Sequence, residues 1–187
     1  MGQLVIVAGQ SLCVAPAGGS TTFAYKTFNP LGIRYRIRAV GGTHWDSTGF
    51  DLAGVAPIQV DPFAKAATST TLIMCGGTTD IHNGDTAQQV YDDMVAYADA
   101  RRAEGFGTIV NLTIPPNTAN TGGQETVRQA ANVLVLADAQ DAFDIKVDLT
   151  GNANLEDEGN VTYYYDGVHW SEAATAIVAA LLTAALP

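Results

Sequence analysis

Three short stretches of the sequence hold residue types that can do chemistry together. The first is Gly9-Gln10-Ser11, directly after the apolar run Leu4-Val5-Ile6-Val7-Ala8. A serine there sits at the carboxyl edge of a strand, on a turn that Gly9 permits, with its hydroxyl turned to a cleft and its N–H available to a substrate oxygen. The second is Asp166-Gly167-Val168-His169, followed by Trp170 and Ser171. An aspartate three residues before a histidine can fold back in one turn and bond one ring nitrogen. The other nitrogen is then free to take a proton from a serine. The third is Gly76-Gly77-Thr78-Thr79-Asp80, where glycines allow close backbone approach and Thr79 offers a hydroxyl donor; Gly41-Gly42 can supply another backbone donor. Singly, each is also what an ordinary turn looks like. Jointly they provide a nucleophile, a base, its orienting carboxylate and oxyanion donors, the parts of an acyl-transfer site.

These groups need a frame. Short β-rich runs alternate with helical patterns, which predicts a parallel sheet with helices on both faces. The expected strands are Leu4 to Ala8, Ile33 to Val40, Thr71 to Cys75, Thr108 to Ile114 and Ile145 to Leu149. Four are mainly apolar, as strands buried on both faces are; Ile33-Arg34-Tyr35-Arg36-Ile37-Arg38 alternates with period two and reads as an edge strand. Its three arginines read as a solvated edge face that guards against strand pairing. A helix is expected from Thr86 to Glu104, ended by Gly105, with Val90, Met94, Tyr97 and Arg101 on one stripe. Thr121 and Gln124 form a capping-box pattern for a helix reaching about Ala139, and Ser171 caps the last helix. Residues 15–30, 41–67, 115–120 and 150–165 read as looser segments. In such a sheet reactive groups gather beyond the carboxyl ends of the strands, where all three stretches fall.

Composition narrows the functions further. The 187 residues, 47% apolar, suit one domain spanning 1–187. Nine Lys and Arg against 19 Asp and Glu leave a formal charge of −10, which repels a phosphate backbone and argues against a nucleic-acid partner. No stretch approaches the ~20 apolar residues of a membrane span, so neither a membrane partner nor a signal peptide is expected. Cys13 and Cys75 fit neither a disulfide framework nor a zinc site and read as buried free thiols, with a bridge between them as the alternative.

On these motifs the sequence resembles the SGNH (GDSL-like) serine hydrolases over nearly its whole length. Gly9-Gln10-Ser11-Leu12 is similar to the GQS form of that family's first block, a form also seen in sialate and other carbohydrate O-acetylesterases. Tyr165-Asp166-Gly167-Val168-His169-Trp170 is similar to its terminal DxxH block. The resemblance implies a three-layer α/β/α, flavodoxin-like fold with five parallel strands in the order 2-1-3-4-5 and no cofactor or metal. It implies Ser11 as nucleophile, Asp166 and His169 as its acid–base pair, and Gly41 or Gly42 as an oxyanion donor. The family's GxND block departs here: Gly77-Thr78-Thr79-Asp80 puts Thr79 where the family has asparagine, and Asn83 is the candidate to stand in for that amide.

The reading that follows is a metal-independent esterase for small acyl esters, with O-acetyl groups on a carbohydrate as the expected substrate. A module that kept the fold but binds glycan without cleaving it is the alternative, fed by Thr79. A nucleotide binder would need a GxxxxGK[ST] or GxGxxG fingerprint, which is absent. GQS-type domains of this length also serve as modules of larger assemblies such as phage tails, so the location of the protein is left open. His44, His82, Asn83 and Tyr165 are candidate substrate contacts beside the cleft, and Glu156-Asp157-Glu158 reads as solvated surface.

Overall fold

The computed structural model describes residues 3–13, 22–46, 52–65 and 69–187. Five strands, β1 (Leu4–Gly9), β2 (Arg34–Ala39), β3 (Thr70–Cys75), β4 (Thr108–Leu112) and β5 (Ile145–Val147), form one parallel sheet in the order β2-β1-β3-β4-β5. The helices are α1 (Phe23–Phe28), α2 (Leu52–Gln59), α3 (Thr78–His82), α4 (Ala87–Glu104), α5 (Gly122–Ala137) and α6 (Glu172–Ala185).

Strand alternation divides the core into two layers. Leu4, Ile6 and Ala8 of β1 and Leu72 and Met74 of β3 pack with residues of α2, α4 and α5. Val5, Val7, Ile73 and Val110 face the other way, onto Phe23 and Phe28 of α1 and Val178 and Leu182 of α6. Central strands buried on both faces need apolar side chains at successive positions, and β1 and β3 are buried throughout. β2 lies at the edge, and Arg34 and Arg36 are exposed as the alternation implies.

Several boundaries differ from the sequence reading. β2, β4 and β5 are shorter at their ends than expected. Parts of the segments 15–30 and 41–67 lie outside the described residues; within the rest, α1 and α2 stand where looser chain was expected. At six and eight residues they are too short to show a helical period, and α2 contains Pro57. The glycine-rich stretch after β3 runs into α3. The capping boxes at Thr86/Gln89 and Thr121/Gln124 both form, and Ser171 Oγ accepts from the N–H groups of Ala173 and Ala174. Cys13 and Cys75 are free and buried, with the Cys13 thiol 3.3 Å from the Cys75 carbonyl oxygen.

The long connection from β5 to α6 has to be rigid if it is to present a side chain at a fixed point, and a buried arginine secures it. Arg128 of α5, 1% exposed, donates to Ile114 O at 2.9 Å, to both oxygens of Glu125 (2.7 and 2.8 Å) and to both oxygens of Glu156 (2.8 and 3.2 Å). Glu156 is thus half-buried in an ion pair, not part of a solvated acidic run; its partner lies 28 residues away, beyond any local pattern. The Tyr164 hydroxyl donates to Leu155 O at 2.6 Å within the same connection.

Replacing Arg128 by alanine removes the shared partner of two carboxylates and one of the two donors to the buried Ile114 carbonyl, which keeps Asn132 Nδ2. The expected loss is about 3 kcal/mol of unfolding free energy, read from urea denaturation. Partial burial tends to raise the Glu125 pKa, but hydrogen bonds and charge from Arg128 outweigh it and hold the carboxyl below its ordinary value. The unfolded chain therefore binds the proton first on acidification. The stabilisation from this pair is complete above roughly pH 4.3 and fades as pH falls through the lowered folded value, a dependence absent from Arg128→Ala.

Candidate active site

The sheet's carboxyl rim is built from the ends of β1, β2 and β3, which approach very closely. A Cβ on Gly9 would stand 2.0 Å from the Cys75 carbonyl oxygen, so only glycine fits there. The Gln10 N–H donates to Cys75 O and the Val40 N–H to Gly9 O, and the chain then turns into a short 3₁₀ segment, Ser11–Cys13. This turn lifts the half-buried Ser11 above the rim.

A buried carboxylate ties the three strand ends together. Asp80, fully buried at the start of α3, accepts from Gln10 Nε2 at 2.8 Å and from the Trp45 N–H at 2.8 Å; Gln10 Nε2 also donates to Thr43 O at 2.7 Å. Burial pushes the Asp80 carboxyl pKa up, and the hydrogen bonds from Trp45 and Gln10 oppose that. Gln10, Thr43 and Trp45 were not singled out from the sequence, because their role is to join loops more than 30 residues apart. The one usable signal was the adjacency of Gln10 to Ser11.

Across the rim, the segment before α6 forms a tight turn. Tyr164 and Trp170 make an antiparallel bridge, and the Ser171 N–H donates to Tyr163 O. Trp170, 2% exposed, packs edge-on against Phe23 with centroids 6.1 Å apart and anchors the turn in the core. Asp166 Oδ1 accepts from the N–H groups of Val168 (3.0 Å) and His169 (2.7 Å), and Oδ2 lies 2.7 Å from His169 Nδ1. Partial burial raises the Asp166 pKa, but these hydrogen bonds outweigh it, so the net shift is downward and the group is held as carboxylate. His169 Nε2 lies 2.9 Å from Ser11 Oγ. With Asp166 ionised, Nδ1 carries the proton and Nε2 accepts from the serine hydroxyl. The Tyr165 ring, 40% exposed, stacks on the His169 ring at 5.8 Å and 16°.

The remaining sequence candidates fall as follows. A Cβ built on Gly41 would stand 3.5 Å from the Ser11 Cβ, whereas one on Gly42 meets nothing within 4 Å, so Gly41 is the glycine beside the serine. Gly77 precedes α3, and the Thr79 N–H points to Gln10 Oε1 at 3.4 Å. His82 ends α3, and its Nε2 lies 2.9 Å from Asn120 Oδ1. Asn83 caps α3, and its amide is directed to the His44 ring. Among the described residues, His44, Asp80 and Asp85 bring possible metal-ligating atoms within 4.8 Å of one another, but both Asp80 oxygens already accept hydrogen bonds.

The position of His169 rests on one contact that the sequence reading did not include. Gly167, at φ +80°, passes so close to Thr118 that a Cβ would stand 2.2 Å from its Oγ1, and the Thr118 N–H donates to Gly167 O at 2.9 Å. Gly167→Ala is expected to cost about 1–3 kcal/mol, from backbone conformation and collision together. Adding Thr118→Gly relieves only the collision, so urea unfolding of the double variant recovers part of the loss.

No protein-family model matches the sequence, and neither does any curated protein. Solved structures do match. A member of the lipolytic protein G-D-S-L family from Veillonella parvula superposes with TM-score 0.74 at 16% identity, covering 96% of each chain. A lipase/acylhydrolase from Enterococcus faecalis gives TM-score 0.67 at 12% identity over 97% of this chain and 94% of its own. A variant of an acetyl xylan esterase from Geobacillus stearothermophilus gives 0.67 at 15% over 97% and 93%. Strand order, layering and near-complete coverage agree: the chain has the SGNH (GDSL-type) hydrolase fold.

Proposed function

We propose that the protein is a serine esterase that hydrolyses small acyl esters through an acyl-enzyme. The observation that carries this reading is the continuous hydrogen-bonded relay from Asp166 Oδ2 through the His169 ring to Ser11 Oγ, at 2.7 and 2.9 Å. In the first step His169 Nε2 takes the hydroxyl proton as Ser11 Oγ attacks the ester carbonyl, and Asp166 stabilises the imidazolium. The carbonyl π electrons pass to the oxygen, for which the N–H groups of Ser11 and Gly41 are the proposed donors, each such donor being worth roughly 3 kcal/mol. Collapse expels the alcohol, which receives the proton from Nε2. Water, deprotonated by the same nitrogen, then attacks the acyl-serine, and the acid leaves with Ser11 restored. Each step uses only residues of this chain.

The substrate reading is an O-acetylated carbohydrate. It is supported by the likeness of Gly9-Gln10-Ser11 to the GQS form, by the acetyl xylan esterase among the structural neighbours, and by the exposed Tyr165 ring beside the histidine, an apolar plane on which a sugar can stack. Thr79 stands where the family has an asparagine, and its N–H points to Gln10 Oε1 at 3.4 Å; the proposed oxyanion donors are therefore taken from the backbone.

Hydrolysis of p-nitrophenyl acetate by wild type and Ser11→Ala, with fluorophosphonate labelling of the same samples, tests the reaction. Turnover and label are expected in the wild type and neither in the variant. Asp166→Asn is expected to lower kcat by about 10³-fold or more, because the wrong tautomer then faces the serine. A wild type that neither turns over nor labels sinks the esterase reading in favour of a glycan-binding module. For the substrate class, Tyr165→Ala is expected to raise KM for an acetylated xylo-oligosaccharide about fivefold or more while leaving p-nitrophenyl acetate turnover nearly unchanged.

A further inference from the structure

The nine cations of the chain are unevenly used. Five are in ion pairs: Lys26 with Glu172, Arg101 with Asp61, Arg102 with Asp144, Arg128 with Glu125 and Glu156, and Lys146 with Asp138. Among the described residues, the other four, Arg34, Arg36, Arg38 and Lys65, make none. Three of them stand on β2. Lys65 follows the 3₁₀ turn Asp61–Phe63, whose Phe63 ring lies under the Arg38 guanidinium at 5.0 Å. In a chain with 19 acidic residues, this edge gathers cations that have no carboxylate partner among the described residues.

Among the described residues no strand pairs with the outer side of this edge, where Arg36 Nη1 donates to Tyr35 O at 3.5 Å. β2 is outermost, and the Val40 N–H turns inward to Gly9 O. By strand alternation the N–H groups of Tyr35, Ile37 and Ala39 turn outward. The arginines sit in register with Leu4, Ile6 and Ala8 and therefore lean to that face of the sheet, while Tyr35 and Ile37 lean to the other and pack against the second core layer. A cleft of about 600 Å³ runs beside the strand, lined by Leu4, Phe63 and β2 itself.

From the outermost position of β2 and its row of arginines without a carboxylate partner among the described residues, we propose that this edge takes an extended acidic segment of a partner protein as a sixth strand. Alternate arginines stand about 7 Å apart, the repeat of alternate side chains on any incoming strand. A segment alternating acidic with apolar residues would set carboxylates over Arg34, Arg36 and Arg38 and apolar groups beside Tyr35 and Ile37, while its backbone bonds the outward N–H groups. A second copy of this chain fits badly, since β2 against β2 opposes arginine to arginine. The row therefore excludes self-pairing and selects a complementary strand.

The test is fluorescence anisotropy of a labelled peptide of alternating glutamate and valine at low salt, with amide exchange of the protein followed by NMR. Binding is expected to weaken about tenfold or more for a scrambled isomer, for the peptide N-methylated at alternate residues, and for Arg34→Ser/Arg36→Ser, whose thermal unfolding is unchanged. Bound peptide is expected to protect the Tyr35, Ile37 and Ala39 amides. The proposal is overturned by absence of binding, by equal binding of the scrambled or N-methylated peptide, by protection elsewhere, or by an oligogalacturonate binding as tightly. Sedimentation that shows a dimer lost in the arginine variant would assign the edge to a second copy and overturn it as well.

Discussion

The hydrogen bond from Gln10 to Asp80 is the contact on which the reactive rim depends. A parallel sheet ends in loops that have no reason of their own to stay together. Here one buried carboxylate collects a side-chain amide from the loop after β1 and a backbone N–H from the loop after β2, while itself belonging to the element after β3. Its place is costly, as the upward shift of its pKa by burial records, and that cost is offset because each carboxylate oxygen has a donor. Ser11 is the next residue along from Gln10, so the serine inherits its position from this clasp.

The histidine side is organised on a different principle. There the carboxylate is half exposed, and order comes from the backbone around it: a bridge between Tyr164 and Trp170, a buried indole, and the close pass of Gly167 against Thr118. Arg128 and Glu156 brace the connection upstream. Two halves, one fixed by a buried polar clasp and one by a core-anchored turn, meet at the 2.9 Å contact between Ser11 and His169.

What could be read from the sequence follows from the range over which each signal acts. β1 and β3 are apolar runs and β2 alternates, so the sheet and its edge were visible locally, and resemblance to a family supplied the strand order that local pattern cannot. Thr121 with Gln124 and Ser171 marked helix starts, since capping is decided within four residues. The short helices α1, α2 and α3 escaped because six, eight and five residues hold too little of a 3.6-residue period. Ser11, Asp166 and His169 lay in compact motifs. By contrast, the Arg128–Glu156 pair, the Gly167–Thr118 contact and the Asp80 clasp exist only after folding brings separated segments together, as does the turn of Asn83 toward His44.

Ser11 and His169 are 158 residues apart along the chain, yet they share one hydrogen bond. Such a separation means that this contact cannot form on the ribosome until the chain has been made and released through residue 169. Until then Ser11 lacks the hydrogen-bond partner it has in the fold. It also means that a cut in the turn between α5 and β5 would leave Ser11 and His169 on different polypeptides. The proposed hydrolysis, restored on mixing, would then report on reassociation of the two pieces, making the fold a natural scaffold for a split reporter.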